Sequence, residues 1–473
     1  MPEQFIQASS YSPVGSPAFP PYASRPWAGG SVLSRAVAMW HAGNYSSNLD
    51  ALIDESGHGL HARFGSGVGA DTNDPLRLPY EGSRSVYSPS IAANYLSCPA
   101  NAAFNITDDI EIICRARPSD LSTQGTFLAK RETGQWSYQF IFAPGASALQ
   151  FGMTTDGSTA LNYNSSAFPP LLADTWYWFK CTRRRSDGRI QYFYANDTGG
   201  NSTLPSTWTQ VGTDITGSTG AMFVGTAGLE IFTNRAGVAN VFLGRGGRYI
   251  LNSGIGGTTV ADFNADFIAQ PFSSYTDVAG KVWTFNRTLS GTGRRLVVVD
   301  RDALLLGGDD YLIVPDHPLL RATSNFTIIV AARLYGVTPP SRWALAGKRG
   351  TTLGHPGYVL FTVNGGRQEY LELQGDTISG PGSPQPSFTD GRAFTHGLRI
   401  VGGKQQLVSS NGNAGSAVAI PTGALDDGQP LYLGAWASGT SPLDGEIFAA
   451  AVFNTPLTDS DIVRLQSELN AIP

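Results

Sequence analysis

The sequence predicts an all-β protein made of two antiparallel β-sandwiches that follow an extended N-terminal arm. Short apolar runs with alternating positions follow one another along the chain, and turn signals such as Asp187-Gly188 and Asn364-Gly365 separate them. The same pattern of runs occurs twice along the chain, and no long amphipathic helix lies between the runs. Short strands at this spacing favour sandwiches.

Length and composition agree with two domains of short strands. The chain has 473 residues, and single cores stop growing at roughly 250–300 residues. Charged residues make up only 15% of the chain and glycine occupies 56 positions, which is typical of strands joined by tight turns. The formal net charge of −5 provides no basic footprint for nucleic acid, so we expect no nucleic-acid partner.

Cysteine usage and hydropathy bear on cofactors and location. Three cysteines cannot form a fully paired disulfide framework, and none lies in the Cys-x-x-Cys spacing of zinc sites. No apolar run reaches the roughly 18–20 residues that cross a bilayer, and the N-terminus lacks the pattern of a signal peptide. We expect synthesis in a cytoplasm and no membrane insertion, and the protein either stays there or leaves by assembly or lysis.

Residues 1–39 form the predicted arm. Six prolines remove backbone donors and fix φ, so this stretch suits neither a helix nor the interior of a sheet. Purely disordered tails are poor in aromatic residues, whereas this stretch carries five, so we expect it to dock on a partner. The aromatic residues that would anchor it are Phe5, Tyr11, Phe19, Tyr22 and Trp27.

An internal repeat defines the two domains. Its matched segments keep their order, and their offset changes slowly, as loop insertions between matched strands would cause. The matches are Asp54–Gly57 with Asp277–Gly280, Tyr95–Pro99 with Tyr311–Pro315, Ile110–Cys114 with Phe326–Val330, Leu128–Arg131 with Ala346–Arg349, and Tyr138 with Tyr358. From these matches we place the arm at 1–39, the first sandwich at 40–250, a connector at 251–274 and the second sandwich at 275–473.

One helix is predicted, at the C-terminal end. Thr458 is a suitable N-cap, acidic residues occupy the first turn, and Ile462, Leu465 and Leu469 share one face.

The second copy resembles the laminin-G-like family of concanavalin A-like jelly-roll domains. The segments that carry this resemblance are Gly308–Leu312, Asn325–Ile328, Ala346–Lys348, Leu431–Gly434, Leu443–Ile447 and Val452–Asp459. The first copy resembles the family less closely, through Asp54–Ala62. The resemblance implies a jelly-roll sandwich for each copy. Calcium occurs in some members, and Asp309 and Asp310 are the candidate ligands, although a turn before a strand explains them equally well.

The stretch Gly254–Phe263, ending near Trp283-Thr284, is similar to segments in tail and surface proteins of phages that infect actinobacteria. Tandem domains of this kind occur in the minor tail proteins of such phages. The resemblance implies a virion protein, located in the tail or on the outer surface. Its partners would be other virion proteins, further copies of itself and host envelope glycans.

No catalytic or metal-binding arrangement is visible. Asp109 and Glu111 have the spacing of a carboxylate pair on one strand, but Glu111 points away from the core and no third acid follows, so we interpret both as solvated outer-face acids. His58 and His61 lie near two acids, but Gly57 and Gly59 favour a loop rather than a helical metal motif. We expect no enzyme, no cofactor and no resident metal.

Ligand binding is the remaining function to consider for this chain. The first copy contains many large aromatic residues, which could contact a ligand. Most of them should fill the space between the sheets. The run Trp176–Phe179, however, places aromatic residues on both faces, so one pair lies outside the core and needs a ligand, a loop or a subunit to cover it. The candidate ligand-binding residues are Trp136, Tyr138, Trp176, Trp178, Tyr192, Tyr194 and Trp208.

The sequence therefore predicts a non-enzymatic structural component of a phage virion, of the minor-tail type, whose domains contact other proteins or host-surface glycans. A free carbohydrate-binding or adhesion protein is the first alternative, and a polysaccharide hydrolase is the second.

Overall fold

The computed structural model describes residues 31–65, 74–143, 145, 148–270, 272–287, 295–307, 309–335, 342–348, 357–363, 368–373, 376–379, 391–409, 418–419, 428–437 and 443–472. The five aromatic residues predicted to anchor the arm, Phe5, Tyr11, Phe19, Tyr22 and Trp27, lie outside these residues.

The chain alternates between two short flanking segments and two long cores. The first flanking segment (38–78) contains β1 (Ala38–His41), β2 (Tyr45–Ser46), β3 (Ala51–Leu52), β4 (Ala62–Phe64) and β5 (Leu76–Leu78). The first core (85–253) contains β6 (Ser85–Pro89), β7 (Tyr95–Cys98), β8 (Ile110–Pro118), β9 (Gly125–Lys130), β10 (Tyr138–Ala143), β11 (Ala148–Met153), β12 (Leu161–Asn164), β13 (Tyr177–Arg184), β14 (Arg189–Asn196), β15 (Thr209–Gln210), β16 (Ile215–Thr216), β17 (Leu229–Phe232) and β18 (Leu243–Ser253).

The second half repeats this order. The second flanking segment (258–299) contains β19 (Thr258–Asn264), β20 (Ser274–Thr276), β21 (Val282–Asn286) and β22 (Val297–Val299). The second core (303–453) contains β23 (Ala303–Leu306), β24 (Leu312–Val314), β25 (Asn325–Leu334), β26 (Arg342–Lys348), β27 (Tyr358–Val363), β28 (Gln368–Leu373), β29 (Asp376–Ser379), β30 (Ala393–Val401), β31 (Lys404–Ser409), β32 (Val418–Ala419), β33 (Leu431–Leu433) and β34 (Gly445–Phe453), and helix α1 (Asp459–Asn470) follows it.

Strand pairing gives two antiparallel sandwiches, so the predicted fold class is confirmed. In the first sandwich, sheet I has the order β12-β11-β10-β9-β17-β7-β21-β20, and sheet II has the order β15-β14-β13-β8-β18-β6-β22, with β16 beside β14 and β19 beside β18. In the second, sheet III has the order β2-β3-β4-β24-β33-β26-β27-β28-β29, and sheet IV has the order β32-β31-β30-β25-β34-β23-β5, with β1 beside β34.

The internal repeat is present in three dimensions. Strands β7 and β24 hold equivalent places, because β7 lies between β17 and β21 and β24 lies between β33 and β4. The phenol of Tyr138 donates a hydrogen bond to the carbonyl of Phe104 at 3.0 Å. Its counterpart Tyr358 donates to the carbonyl of Leu320 at 3.2 Å. The same hydroxyl therefore fixes the same turn in both copies.

The flanking segments are exchanged between the repeats. The first flanking segment pairs with the second core, through β1 with β34, β4 with β24 and β5 with β23. The second flanking segment pairs with the first core, through β19 with β18, β21 with β7 and β22 with β6. The first sandwich is thus the continuous stretch 85–299, inserted between β5 and β23 of the second.

This arrangement differs from the predicted limits of 40–250 and 275–473. Residues 40–78 belong to the second sandwich and 275–299 to the first, and the predicted connector 251–274 carries residues of β18, β19 and β20. The second flanking segment joins the first core because β18 and β19 form a hairpin, and a hairpin closes a short loop at low entropic cost. Strand β1 then takes the equivalent place beside β34.

A repeated aspartate joins each flanking segment together. Asp54 accepts hydrogen bonds from the backbone N–H groups of Met39 (3.0 Å) and Leu60 (3.1 Å). Asp277 accepts them from the backbone N–H of Asp262 (2.9 Å) and from the indole of Trp283 (3.0 Å). The matched residues at 54 and 277 therefore have one structural role, which is to hold the first strand of each flanking segment against its hairpin.

Helix α1 and the junction of the sandwiches share one apolar cluster. The capping box of Thr458 and Asp461 starts the helix, and Ile462, Leu465 and Leu469 are buried, as predicted. They pack in a cluster that contains residues of sheet IV together with Tyr87, Val297 and Val299 of sheet II. In the described part of the chain, no helix is long and apolar enough to cross a membrane.

A buried arginine forms ion pairs with two carboxylates at the same junction. Arg333 on β25 is fully buried and donates to Glu446 Oε2 and Asp300 Oδ1, each at 2.7 Å. The guanidinium carbon also lies 4.7 Å from the ring centroid of Phe272, in the second flanking segment. These contacts therefore link the second core to the linker at 300 and to the first sandwich.

Candidate functional site

The predicted ligand-binding aromatics separate into three groups. Tyr138 and Tyr192 lie fully buried between sheets I and II, and Tyr194 packs half-buried against the same core. The hydroxyl of Tyr192 accepts a hydrogen bond from the backbone N–H of Phe151 at 3.0 Å and donates to the carbonyl of Tyr163. The rings of Tyr138 and Tyr192 therefore fill the sandwich and present no surface to a ligand.

Trp136 lies on the outer side of sheet I. It is only 4% exposed, and the guanidinium carbon of Arg131 lies 3.9 Å from its ring centroid. On its other side the ring packs over Gly152, where a Cβ atom would come within 2.9 Å of it. Arg131 thus covers the face of Trp136 that a ligand would use.

The outward aromatic pair of the run Trp176–Phe179 is Trp178, on β13, and Trp176, immediately before it. Tyr177 and Phe179 belong to the main core cluster, whereas Trp178 packs on the opposite face with Ile113 and neighbouring side chains. The indole N–H of Trp178 donates to Asp197 Oδ1 at 3.0 Å. Alternation along the strand could not show whether the two tryptophans or Tyr177 and Phe179 face outward. The structure identifies the tryptophans as the outward pair.

A loop of the chain itself covers Trp178. Arg115 donates to Asn201 Oδ1 at 2.8 Å and to Asp197 Oδ2 at 2.7 Å. Arg248 donates to the carbonyl of Asn201 at 3.0 Å. These bonds hold residues 197–203 across sheet II, and Trp178 is left 1% exposed.

Next to this loop, the outer side of sheet II carries a partly open surface. Trp208 and Phe193 are half-buried, and Lys180 Nζ lies 4.4 Å from the first ring centroid and 4.7 Å from the second. Gln191 and Gln210 border the rings and donate to Asp214 Oδ1 at 2.9 and 2.8 Å. We call Lys180, Gln191, Phe193, Trp208 and Gln210 the amide-rimmed face.

The amide-rimmed face follows from strand register. Phe193 is paired with both Lys180 and Gln210 across the sheet, so their side chains point to the same side. Gln191 shares that side because it lies two residues from Phe193 on β14. Burial lowers the pKa of Lys180 below its usual value, and the charge of Glu111 on β8 offsets part of this decrease. The result is aromatic rings flanked by an ammonium group and two amides.

Trp176 lies at the other end of the sheet and is closed in by arginines. The guanidinium carbons of Arg115 and Arg245 lie 3.9 and 5.5 Å from its ring centroid. Its indole N–H donates to Glu81 Oε2 at 2.5 Å. Burial lowers the pKa of Arg245 to about 10, with Glu81 acting in the opposite direction. Trp176 is thus half-buried in a cation–aromatic stack.

The acids considered as a catalytic pair have structural partners. Glu111 does face outward, but it is 7% exposed rather than solvated, and it accepts hydrogen bonds from Asn252 Nδ2 (2.8 Å) and the backbone N–H of Gly256 (3.2 Å). Asp109 accepts from the backbone N–H of Arg185 at 2.7 Å. Both carboxylates support turns at one end of the strands of sheet II.

The residues considered as metal ligands do not assemble into a site. His61 Nδ1 accepts the backbone N–H of Asp54 at 3.1 Å, and His58 Nδ1 lies 3.0 Å from Ser56 Oγ. Asp310 accepts the backbone N–H of Gly307 at 3.0 Å. Among the residues that the structure describes, no group of three or more His, Cys, Asp or Glu side chains is placed to hold a metal ion.

Comparison with solved structures finds chains that are similar at low identity. The chain is similar to domains LG4–5 of the mouse laminin α1 chain, with 12% identity, a TM-score of 0.26 and coverage of 82% of this chain and 92% of that one. It is similar to a Trypanosoma rangeli sialidase, with 13% identity, a TM-score of 0.30 and coverage of 71% and 67%. It is similar to a heptameric Limulus polyphemus pentraxin, with 12% identity, a TM-score of 0.26 and coverage of 39% and 79%.

No protein-family model matches the sequence, and no curated protein is significantly similar to it. Similarity at identities of 12–13% concerns the fold at most. The fold class itself follows from the strand pairing described above.

Proposed function

We propose that this chain is a non-enzymatic adhesion component of a phage virion, of the minor-tail type, and that its first sandwich contacts host-surface glycans through the amide-rimmed face. The observation that carries the glycan part is the half-buried pair Phe193 and Trp208 beside Lys180, Gln191 and Gln210. Aromatic faces suit the apolar faces of sugar rings, and amide and ammonium groups suit sugar hydroxyls.

The virion part is supported by the sequence resemblance of Gly254–Phe263 and by the aromatic, proline-rich arm. The non-enzymatic part is supported by the partners of Asp109 and Glu111, which hold both acids in structural hydrogen bonds.

Glycan binding is tested by applying the full chain to an array of cell-envelope glycans. Trp208→Ala should weaken retention about tenfold, because one stacking contact of about 1 kcal/mol or more is lost. Phe267→Ala is the matched control, since Phe267 is 62% exposed in a turn remote from β14 and β15. Equal retention of both variants and the unchanged chain would refute the assignment of this face.

The virion role is tested by deleting residues 1–30 rather than 1–39. Val32 and Leu33 are buried in the junction cluster, so the longer deletion would also damage the fold. We expect the shortened chain to fold but to be missing from assembled particles. Normal incorporation would count against the arm as the anchor, and turnover of a polysaccharide by the purified chain would overturn the non-enzymatic part.

A further inference from the structure

The second sandwich contains a cleft that is separate from the amide-rimmed face. It has a volume of about 250 Å³ and lies between the first flanking segment and the turn after β24. Leu49 and Pro315 provide exposed apolar surface, whereas His61, Arg63 and His317 provide polar groups. Because its two walls come from segments more than 240 residues apart (His61 and His317), the cleft exists only through the exchange of flanking segments.

The hydrogen bonds of His61 and His317 determine which ring nitrogen of each carries the proton. The backbone N–H of Asp54 donates to His61 Nδ1 at 3.1 Å, and the backbone N–H of Leu319 donates to His317 Nδ1 at 3.3 Å. A ring nitrogen that accepts a hydrogen bond carries no proton, so in the neutral ring the proton is on Nε2. Each imidazole that lines the cleft therefore has an Nε2–H group to donate.

The charges around the cleft leave one cation without an acidic partner. Asp316 is neutralised twice, since Lys348 Nζ lies 2.6 Å from Oδ1 and Arg321 Nη2 lies 2.8 Å from Oδ2. Arg63 is exposed on β4, and within the described residues it forms no ion pair. Donors and positive charge thus dominate the polar side of the cleft, which favours an acceptor-rich anion.

The first sandwich lacks this donor set at the equivalent positions. By strand register, the counterparts of His61 and Arg63 are Val282 and Thr284, and the repeat offset makes Asn101 the counterpart of His317. Asn101 caps the matching 3₁₀ turn by accepting the backbone N–H of Ala103 at 3.0 Å, as His317 does with Leu319. The cap needs only an acceptor, so the Nε2–H donor of His317 serves no structural purpose in the turn.

We propose that this cleft binds one carboxylated sugar unit, with the carboxylate beside Arg63 and the two imidazole N–H groups and the ring over Leu49 and Pro315. Ligand clefts commonly measure roughly 300–1,000 Å³. At about 250 Å³ this cleft lies just below that range, so it suits one ring rather than an oligosaccharide. A charge-assisted contact from a guanidinium to a carboxylate gives affinity and orientation.

The test is calorimetric titration of the full chain at pH 7 with glucuronate, with uncharged glucose and with acetate. We expect one glucuronate per chain and much weaker binding of glucose and acetate. Arg63→Gln should weaken glucuronate binding about tenfold. His317→Asn should weaken it about threefold while preserving the cap, because asparagine fills this role in the first sandwich. Lys404→Gln, which removes an exposed charge from β31, should change nothing.

The outcomes separate this site from the amide-rimmed face. The proposal would be overturned by absence of glucuronate binding, by equal binding of glucose, or by full affinity in Arg63→Gln. Acetate that binds as tightly as glucuronate would overturn the inference that the ligand is a sugar. Trp208→Ala should leave the glucuronate titration unchanged. If the chain binds glucuronate but no glycan on the array, only the proposed adhesion face is refuted. If it binds glycans on the array but no glucuronate, only the proposed cleft is refuted.

Discussion

Replacing Glu230 by glutamine should stabilise the protein above neutral pH. Glu230 lies on β17 with its side chain on the outer side of sheet I, and it is only 5% exposed. Its Oε1 accepts the backbone N–H of Ala236 at 2.7 Å, whereas Oε2 accepts no hydrogen bond from the described residues. Burial raises the pKa of Glu230 from 4.5 to about 7, and the nearby charge of Glu132 adds to the increase.

The sign and size follow from proton linkage. Below about pH 4.5 the carboxyl is protonated in both the folded and the unfolded chain. As the pH rises towards 7, the unfolded chain releases the proton first, so the free energy of unfolding falls, and it levels off above the folded pKa. Each pKa unit is worth about 1.4 kcal/mol, so the gap between 4.5 and about 7 is worth roughly 3 kcal/mol.

Urea unfolding of the unchanged chain and Glu230→Gln at several pH values between 4 and 8 measures this difference. Glutamine keeps the acceptor for Ala236 and cannot ionise. We expect similar unfolding free energies near pH 4 and a variant that is more stable by roughly 3 kcal/mol at pH 8. The comparison cancels every group that titrates alike in both proteins. A stability difference that is constant across this pH range would refute the reasoning.

Two further predictions concern the repeat and the junction. Tyr138→Phe and Tyr358→Phe should each lower the unfolding free energy by about 1 kcal/mol, because each removes one buried hydrogen bond at equivalent turns; unequal losses in urea unfolding would argue against equivalence. Arg333→Met should cost roughly 3–5 kcal/mol because it leaves Glu446 buried without its ion partner. Thermal unfolding checks this loss, and Arg333→Met together with Glu446→Leu should recover only part of it, because Asp300 also loses Arg333 and keeps Arg301 at 3.7 Å.

The strands were predictable because their side chains alternate at a period of two. Ile110, Ile112 and Cys114 are buried on β8, and their counterparts on β25 are buried as well. Such a pattern reports which residues are buried, but it does not report which partner buries them. The exchange of flanking segments could not be predicted for this reason, since 38–78 and 258–299 carry similar patterns and fit either core.

The candidate site was predictable only in part. Sequence alternation indicated that one aromatic pair of the run Trp176–Phe179 lies outside the core. Both pairs consist of large rings, so burial preference could not identify Trp176 and Trp178 as the outward pair. The cleft of the second sandwich was missed because His61 and His317 are far apart in the chain. The offset that relates His317 to Asn101 was available, and a comparison of the two capping positions would have marked the histidine as unusual.

The most direct test of the nested arrangement compares two fragments of similar length. If the first sandwich is the continuous stretch inserted into the second, residues 79–302 contain every strand of sheets I and II and should unfold cooperatively with a near-ultraviolet circular dichroism signal. Residues 40–250 lack β19–β22 and carry flanking strands without their partners, so they should show neither property. A cooperative transition in 40–250 and none in 79–302 would contradict the exchange.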